Sequence, residues 1–257
     1  MSGQILFEKL SSHIGQLTIS QPERRNALTQ AMWKDLPKVL EAAQEDKDLR
    51  VVIVTGAGEH FSAGADISEF GTLYATEQSA KAASETIEQG LNALADFPLP
   101  TVAMIRGACV GGGCALALAC DMRFADSLSR FAITPVKLGL IYPFEDITRL
   151  IETVGVSHAK DMLFSARTLK AKHARKIGLI NQLYKVDNLS PRVMDYAALI
   201  AARSPNSLAV MKQMMKAYQT GQRESSEQTA EWFLQGFGSD DFKKGYQAFL
   251  EKRPPEY

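Results

Sequence analysis

The chain has 257 residues, of which 46% are hydrophobic, and its 29 basic and 29 acidic residues give a formal net charge of zero. This length and hydrophobic content suffice for a large buried core, so the sequence predicts a globular protein. A balanced charge creates no general attraction to nucleic acid or to an anionic membrane, and no apolar stretch is long enough for a membrane span. We therefore expect a cytoplasmic protein with neither nucleic acid nor membrane as a partner.

The first half of the chain predicts strands and helices in alternation. In order, these are a hairpin turning at 11–13, a helix from an N-cap at Thr29 to about Glu45, a strand over 51–56, a helix over 77–95 and a strand over 102–105. The strands at 51 and 102 are each followed by a glycine-bearing loop and a helix. This recurrence after about fifty residues predicts a repeating α/β core.

The second half changes in character beyond Asn188. Before it, the pattern predicts short strands over 122–125 and 130–133, helices over 146–154 and 157–165, and a core-closing segment over 179–186. After it, only helices are predicted, near 191–203, 206–220, 224–236 and 240–252. We divide the chain into a core of residues 1–190 and a C-terminal helical region of residues 191–257.

Three cysteines, Cys109, Cys114 and Cys120, lie close together in an apolar segment. Their number is odd, and the segment has neither paired C-x-x-C spacing nor a nearby histidine. The sequence therefore predicts buried thiols rather than a disulfide framework, and no metal site.

Two glycine loops are candidates for one functional site. Gly111-Gly112-Gly113 opens an apolar helix directly after a predicted strand, and Phe61-Ser62-Ala63-Gly64-Ala65-Asp66-Ile67 follows the preceding strand. Glycine lets the backbone approach a ligand closely, and a helix N-terminus presents unpaired N–H groups to developing negative charge. Either loop alone is consistent with a simple strand-to-helix connection. Together they predict a site that stabilises an anion.

The order and spacing of these loops, with Asp121, Phe131, Leu138-Gly139 and the stretch 171–180, closely resemble the crotonase (enoyl-CoA hydratase/isomerase) superfamily over nearly the whole chain. The resemblance implies an α/β fold, namely a spiral of ββα turns with a C-terminal helical trimerisation region. It also implies an acyl-CoA thioester substrate and a homotrimer or dimer of trimers. Coenzyme A is then part of the substrate, with no other cofactor.

By the same resemblance, the backbone N–H groups of Ala65 and Gly112 hold an enolate-like thioester oxyanion, each contributing roughly 3 to 4 kcal/mol by analogy with other oxyanion holes. The segments that match the family's coenzyme A contacts comprise Ala27, Leu28, Ala63, Ala65, Asp66, Ile67 and Ser68. Arg24 has two interpretations. It either contacts the phosphates of coenzyme A, because a guanidinium group matches phosphate geometry, or it is a solvated arginine on the surface.

The chain departs from the superfamily at both positions where its hydratases carry a glutamate, which here are Ala115 and Pro135. Hydration needs a base for the water and an acid for the α-carbon, each contributing about 10²- to 10⁴-fold. Isomerisation needs one proton-moving group, and decarboxylation needs less, because loss of CO₂ itself generates the enolate. We therefore expect isomerase-type or decarboxylase-type chemistry rather than hydration.

The stretch Thr134-Pro135-Val136, Leu138-Gly139 and Tyr142 resembles the methylmalonyl-CoA decarboxylase branch, although that branch keeps a glutamate where this chain has Ala115. Tyr142 either orients a carboxylate or delivers a proton, or it forms an aromatic wall of the acyl pocket. Either Glu145 or Asp146 could supply a relocated carboxylate.

For Asp146 we favour helix capping, and the role of Glu145 stays open. His60 is a lesser candidate for the site, and by default we expect it to be a polar side chain near the surface that packs against its neighbours. The alternative to catalysis is a non-catalytic acyl-CoA-binding or structural homologue. Fold analogy alone cannot choose between these functions.

Overall fold

The computed structural model describes residues 3–257, which form nine strands and ten α-helices. The strands are β1 (Gln4–Lys9), β2 (Ile14–Ser20), β3 (Val51–Gly56), β4 (Thr101–Ile105), β5 (Ala108–Val110), β6 (Met122–Asp126), β7 (Arg130–Ala132), β8 (Leu169–Lys170) and β9 (Gln182–Tyr184). The helices are α1 (Gln30–Gln44), α2 (Phe70–Leu73), α3 (Glu77–Ala95), α4 (Gly112–Ala119), α5 (Phe144–Ser165), α6 (Ala171–Lys176), α7 (Val186–Ala201), α8 (Pro205–Gln219), α9 (Glu227–Gly238) and α10 (Asp240–Leu250). None of these helices combines the length and the hydropathy needed to cross a bilayer.

A six-stranded sheet in the order β1-β2-β3-β4-β6-β9 forms the centre of the fold. The first two strands pair antiparallel as the predicted hairpin, and all other neighbours are parallel. Every residue of β3 and β4 is buried, as expected for parallel strands that are covered on both faces. Their continuous apolar runs are therefore the local signal of a central position in the sheet.

A second sheet contains three short strands in the order β5-β7-β8. The spiral arises because the chain alternates between the two sheets. The chain passes from β4 of the large sheet to β5 of the small sheet and then enters α4, and it repeats this path through β6, β7 and a 3₁₀ turn into α5. The structure therefore confirms the predicted ββα spiral. The two helices predicted around 155 are halves of α5, which is broken at Gly155 by a positive φ of 76°.

The core has two parts, one on each face of the large sheet. On one face the buried sides of α1, α3 and α4 pack together, with Trp33, Leu91 and Leu116 among the enclosed side chains. On the other face, Val193 and Ala197 of α7 lie against β3 and β4. The predicted division after residue 190 falls inside α7, a helix that packs on the sheet and also begins the helical region.

Several local features match their sequence signals. The Thr29 hydroxyl caps α1 by accepting a hydrogen bond from the Met32 N–H at 3.3 Å. All three cysteines are buried free thiols. Only helices follow β9 within the described residues, as predicted.

Candidate active site

The first candidate loop is held in place by backbone hydrogen bonds to β5. Ser62 donates its N–H to the Ala108 carbonyl at 2.9 Å and accepts from the Val110 N–H at 3.0 Å. The Ser62 hydroxyl donates to the Asn26 carbonyl at 2.7 Å and accepts from the Gly64 N–H at 3.1 Å. The loop is thereby attached to a strand on one side and to the segment before α1 on the other.

Leu28 fixes the direction of the Ala65 peptide. Its N–H donates to the Gly64 carbonyl at 2.7 Å, and its carbonyl accepts from the Asp66 N–H at 2.8 Å. Because alternate groups of an extended backbone point to opposite sides, the Ala65 N–H faces away from Leu28. The predicted coenzyme A contact segments around Ala27 and Ala65 are thus neighbours in space.

The second candidate loop starts α4. Gly111 has a φ of 53° and donates its N–H to the Ala132 carbonyl at 2.8 Å, which attaches the loop to β7. The Gly111 carbonyl then accepts from the N–H groups of Cys114 and Ala115. Gly112 is the first residue of the helix, where an N–H has no partner within the helix.

The N–H groups of Ala65 and Gly112 converge. A Cβ atom built on Gly112 would lie 3.5 Å from the Ala65 nitrogen, and one built on Gly64 would lie 3.1 Å from the Gly112 nitrogen. Within residues 3–257, neither N–H donates a hydrogen bond. Two unpaired backbone donors, backed by a helix N-terminus, form a site suited to an oxyanion.

A buried polar network follows the first loop. Asp66 accepts from Arg24 at 2.8 and 2.9 Å, from Gln21 at 3.1 Å, and from the N–H and hydroxyl of Ser68. Burial alone would raise the pKa of Asp66, but the hydrogen bonds from Ser68, Arg24 and Gln21 hold it below its ordinary value. Arg24 keeps half of its side chain in solvent, so its guanidinium also remains open to a phosphate.

Tyr142 is enclosed beside α4. Its side chain is buried, and its hydroxyl has no hydrogen-bond partner among the described residues. Burial, together with the nearby charge of Asp146, raises the pKa of Tyr142 well above its ordinary value. The phenol therefore stays protonated at neutral pH and is available as a donor.

The structure places Glu145 and Asp146 in different environments. Glu145 is exposed, whereas Asp146 is only 3% exposed and pairs with Arg149 at 2.9 Å. The capping prediction for Asp146 is wrong, because α5 starts at Phe144 and has no side-chain cap. Burial outweighs the attraction of Arg149 and raises the pKa of Asp146 to about 6.

The remaining candidates lie in ordinary structural positions. His60 accepts a hydrogen bond from the Ala108 N–H at its Nδ1, 3.2 Å away, and so supports the start of β5. Ile67 is exposed on the short 3₁₀ turn Ile67–Glu69, and Ala63 is half-buried in the first loop. Ala115 is buried in α4, and Pro135 begins the 3₁₀ turn Pro135–Leu138.

Comparison with known proteins identifies the family. The model of the enoyl-CoA hydratase/isomerase family matches residues 9–257. The chain belongs to the enoyl-CoA hydratase/isomerase family.

Individual relatives match this chain over more than nine tenths of both lengths. A crystal structure of a protein assigned to the family from Hyphomonas neptunium is 40% identical, with a TM-score of 0.95 over 98% of this chain and 97% of that one. An enoyl-CoA hydratase/carnitine racemase structure from Magnetospirillum magneticum is 30% identical, with a TM-score of 0.94 over 98% and 94%. The 2,3-dehydroadipyl-CoA hydratase of Escherichia coli is 32% identical over 94% of this chain and 93% of its own.

Two features of the candidate site were not predicted from the sequence. The burial of Asp146 had a partial signal, since Asp and Arg three residues apart on a helix commonly pair. Trp33, on the buried face of α1, borders the oxyanion site, because its Cζ2 lies 3.3 Å from the position of a Cβ on Gly112. Its place in an apolar helical pattern indicated only a core residue.

Replacing Gly64 tests how tightly the two loops are joined. Gly64 has a φ of 99°, and an added Cβ would lie 2.7 Å from the Val110 carbonyl oxygen. Gly58→Ala is the matched control, because its φ of 69° is similarly unfavourable while its nearest neighbour is 3.9 Å away. We expect Gly64→Ala to lower the free energy of unfolding by at least about 2 kcal/mol more than Gly58→Ala, measured by chemical denaturation. Equal losses would show that the loops separate easily.

The buried carboxylate makes stability depend on pH. The pKa of Asp146 is raised from 3.8 to about 6. Its contribution to the free energy of unfolding is therefore fully present below pH 4 and is lost as the pH rises through 6. Between pH 4 and 7 the unfolding free energy of the wild type should therefore fall relative to Asp146→Asn, by up to about 3 kcal/mol.

The control for this measurement is Asp35→Asn, since Asp35 pairs with Lys38 at the same spacing but in solvent. It should show no such trend. Parallel pH curves for wild type and Asp146→Asn would contradict the raised pKa.

Proposed function

We propose that this protein acts on an acyl-CoA thioester through an enolate whose oxygen is bound by the N–H groups of Ala65 and Gly112. The observation that carries the proposal is the convergence of these two donors, neither of which has another partner within residues 3–257. Donors fixed before reaction stabilise charge that develops in the transition state. Family membership supports the thioester as the carrier of that charge.

The coenzyme A moiety extends from this hole along the first loop. Its contacts are the backbone near Ala27 and Leu28 and the segment from Ala63 to Ser68, with Arg24 reaching a phosphate from its place beside Asp66. The Asp66 network supports this assignment, because it fixes the loop while leaving Arg24 half exposed. No cofactor besides the substrate's own coenzyme A is required.

We assign decarboxylase-type or isomerase-type chemistry. The two positions that carry glutamates in the superfamily's hydratases are Ala115 and Pro135, and neither side chain carries a proton. In a decarboxylation, the electrons of the breaking carbon–carbon bond enter the enolate as CO₂ leaves, and a proton is then added to the α-carbon in place of the CO₂. The enclosed pair of Tyr142 and Asp146 is our candidate source of that proton, in place of Glu145.

The electrostatics of this pair support the assignment. The pKa of Asp146 is close to physiological pH, which suits a group that both accepts and returns a proton. Tyr142 remains protonated and contributes a hydrogen bond to a carboxylate or to the enolate. Asp146 lies on α5, which packs against α4, the helix that begins at Gly112.

Hydration is the second candidate, because relatives such as the Escherichia coli protein are named hydratases. It would require Asp146 and Tyr142 to serve as both base and acid. The two reactions differ in their substrates, so direct assay separates them.

The decisive assay incubates the protein in D₂O with malonyl-CoA, a 3-enoyl-CoA and crotonyl-CoA, with products followed by mass spectrometry and NMR. We expect decarboxylation with deuterium at the α-carbon, or double-bond migration with deuterium at the γ-carbon, and crotonyl-CoA hydration slower by at least about 10²-fold. Gly112→Pro removes one oxyanion N–H at a helix position that tolerates proline, and should lower the rate by about 10²- to 10³-fold.

Two outcomes would contradict the proposal. Fastest turnover of crotonyl-CoA would establish hydration instead. Retained binding with no turnover of any thioester would establish a non-catalytic acyl-CoA-binding homologue. Thermal unfolding of Gly112→Pro serves as the control for its folding.

We further propose that three copies assemble head to tail. Two different apolar patches are exposed, a C-terminal patch of Met215, Phe233, Leu234, Phe237 and Phe249 and a loop patch of Val136, Leu138, Ile141 and Phe144. Exposed clusters of this kind mark interaction sites. Two unlike patches suit a head-to-tail interface, which forms a closed ring.

Size-exclusion chromatography with light scattering, which measures the mass of the eluting species, tests the assembly. We expect three or six times the chain mass for the wild type and a smaller species for Leu234→Asp, which places a charge in the C-terminal patch. Leu128→Asp, an exposed site between β6 and β7, should leave the mass unchanged. A monomeric wild type would contradict the proposal.

A further inference from the structure

The indole of Trp33 lies between α3 and the start of α4. Its Cε3 atom is 3.2 Å from the position of a Cβ on Gly90, and its Cζ2 atom is 3.3 Å from the position of a Cβ on Gly112. Only 1% of the residue is exposed. The ring therefore spans the distance between the two helices and reaches the oxyanion site with one edge.

The edge that faces Gly112 carries the indole nitrogen. Nε1 and Cζ2 are both bonded to Cε2, so the N–H lies on the same side of the ring as the contact to Gly112. The space over Gly112 is thus bordered by the indole edge on one side and by the Ala65 nitrogen, at 3.5 Å, on another. A glycine at this position leaves that space free for a ligand.

The Trp33 N–H is buried and has no hydrogen-bond partner among the described residues. Buried tryptophan nitrogens usually have a partner, and the large majority of buried side-chain polar atoms are paired. Since this donor borders the candidate active site, a bound substrate is the natural source of its acceptor.

Resting on the proposed function, we propose that Trp33 is a specificity-determining residue whose indole N–H binds an oxygen of the acyl group itself. The thioester oxygen occupies the hole made by Ala65 and Gly112, so the acceptor lies farther along the acyl chain. The substrate class is a short acyl-CoA with a carboxylate or carbonyl oxygen on its β-carbon. A buried donor rejects an analogue that lacks the acceptor, because the donor is then left unpaired.

The first test uses the wild-type protein. The chain has two tryptophans, Trp33 and Trp232, so a spectrum of ¹⁵N-labelled indole N–H groups contains one signal from each. We expect acetoacetyl-CoA and a malonyl-CoA analogue with a sulfonate in place of its carboxylate, neither of which can lose CO₂, to move the Trp33 signal downfield relative to butyryl-CoA, while Trp232, on α9, serves as the internal control. Comparing the ketone with the sulfonate shows whether a carbonyl or an anionic oxygen is preferred.

The second test compares the wild type with Trp33→Phe, which keeps an aromatic ring and removes the N–H. We expect calorimetry to show a 10- to 100-fold loss of affinity for the two β-oxygenated thioesters, about 1.4 to 2.8 kcal/mol, and an unchanged affinity for butyryl-CoA. Loss of the Trp33 signal in this variant also assigns the spectrum. The wild-type spectra remain decisive if the variant does not fold.

Infrared spectroscopy of the ¹³C-labelled thioester carbonyl separates this inference from the proposed function. A lowered carbonyl frequency for all ligands shows that the oxyanion hole is occupied. The inference is overturned, and the proposed function stands, if the carbonyl frequency falls but the Trp33 signal is the same with and without a β-oxygen. The same conclusion follows if the frequency falls and Trp33→Phe lowers the affinity for all ligands equally. If no ligand binds or shifts the carbonyl frequency, both are overturned.

Discussion

The rest of the site depends on the junction of two backbone segments, 62–66 and 111–113. Ser62 is bonded to β5 through its N–H and its carbonyl, and the peptides flanking Ala65 are bonded to Leu28. Because each peptide unit is planar, these bonds determine the direction of the Ala65 N–H. The start of α4 supplies the second donor. A donor pair built from backbone N–H groups needs no functional side chain, although Gly64 must stay without a Cβ, which would lie 2.7 Å from the Val110 carbonyl oxygen.

The side chains around this junction differ in burial and charge. Ala115, one of the two positions where the resemblance predicts a glutamate in hydratases, is buried in α4, and a buried carboxylate, Asp146, lies on α5. Burial and charge act on this carboxylate in opposite directions. Removal from water favours the protonated form, while Arg149 favours the charged form, and the balance leaves the pKa near 6. Such a balance is typical of groups that exchange protons at physiological pH.

Two hydrogen-bonding groups near the start of α4, Trp33 Nε1 and the Tyr142 hydroxyl, are buried without partners within residues 3–257. An unpaired buried donor lowers stability, by about 1 to 3 kcal/mol. Proteins retain such groups where a ligand later satisfies them. The C-terminal helices show a corresponding feature on the surface, because large apolar side chains such as Phe233 and Phe249 are exposed, whereas Val193 of α7 is buried against the sheet. Both observations concern groups that a binding partner could satisfy or cover.

The sequence by itself determined the features that depend on neighbours along the chain. The hairpin, the Thr29 cap, the buried parallel strands and both glycine loops follow from local periodicity and from the conformational freedom of glycine. The motif spacing also predicted Ala65 and Gly112 as oxyanion donors, and the structure brings their N–H groups close together. Tertiary structure decided which side chains surround that site. Glu145 and Asp146 are adjacent, yet successive residues on a helix point about 100° apart, so only contact with the neighbouring elements buries Asp146 and leaves Glu145 in water. Trp33 likewise follows an ordinary core pattern, and its unpaired N–H arises only because α4, from a distant part of the chain, places Gly112 against the indole edge.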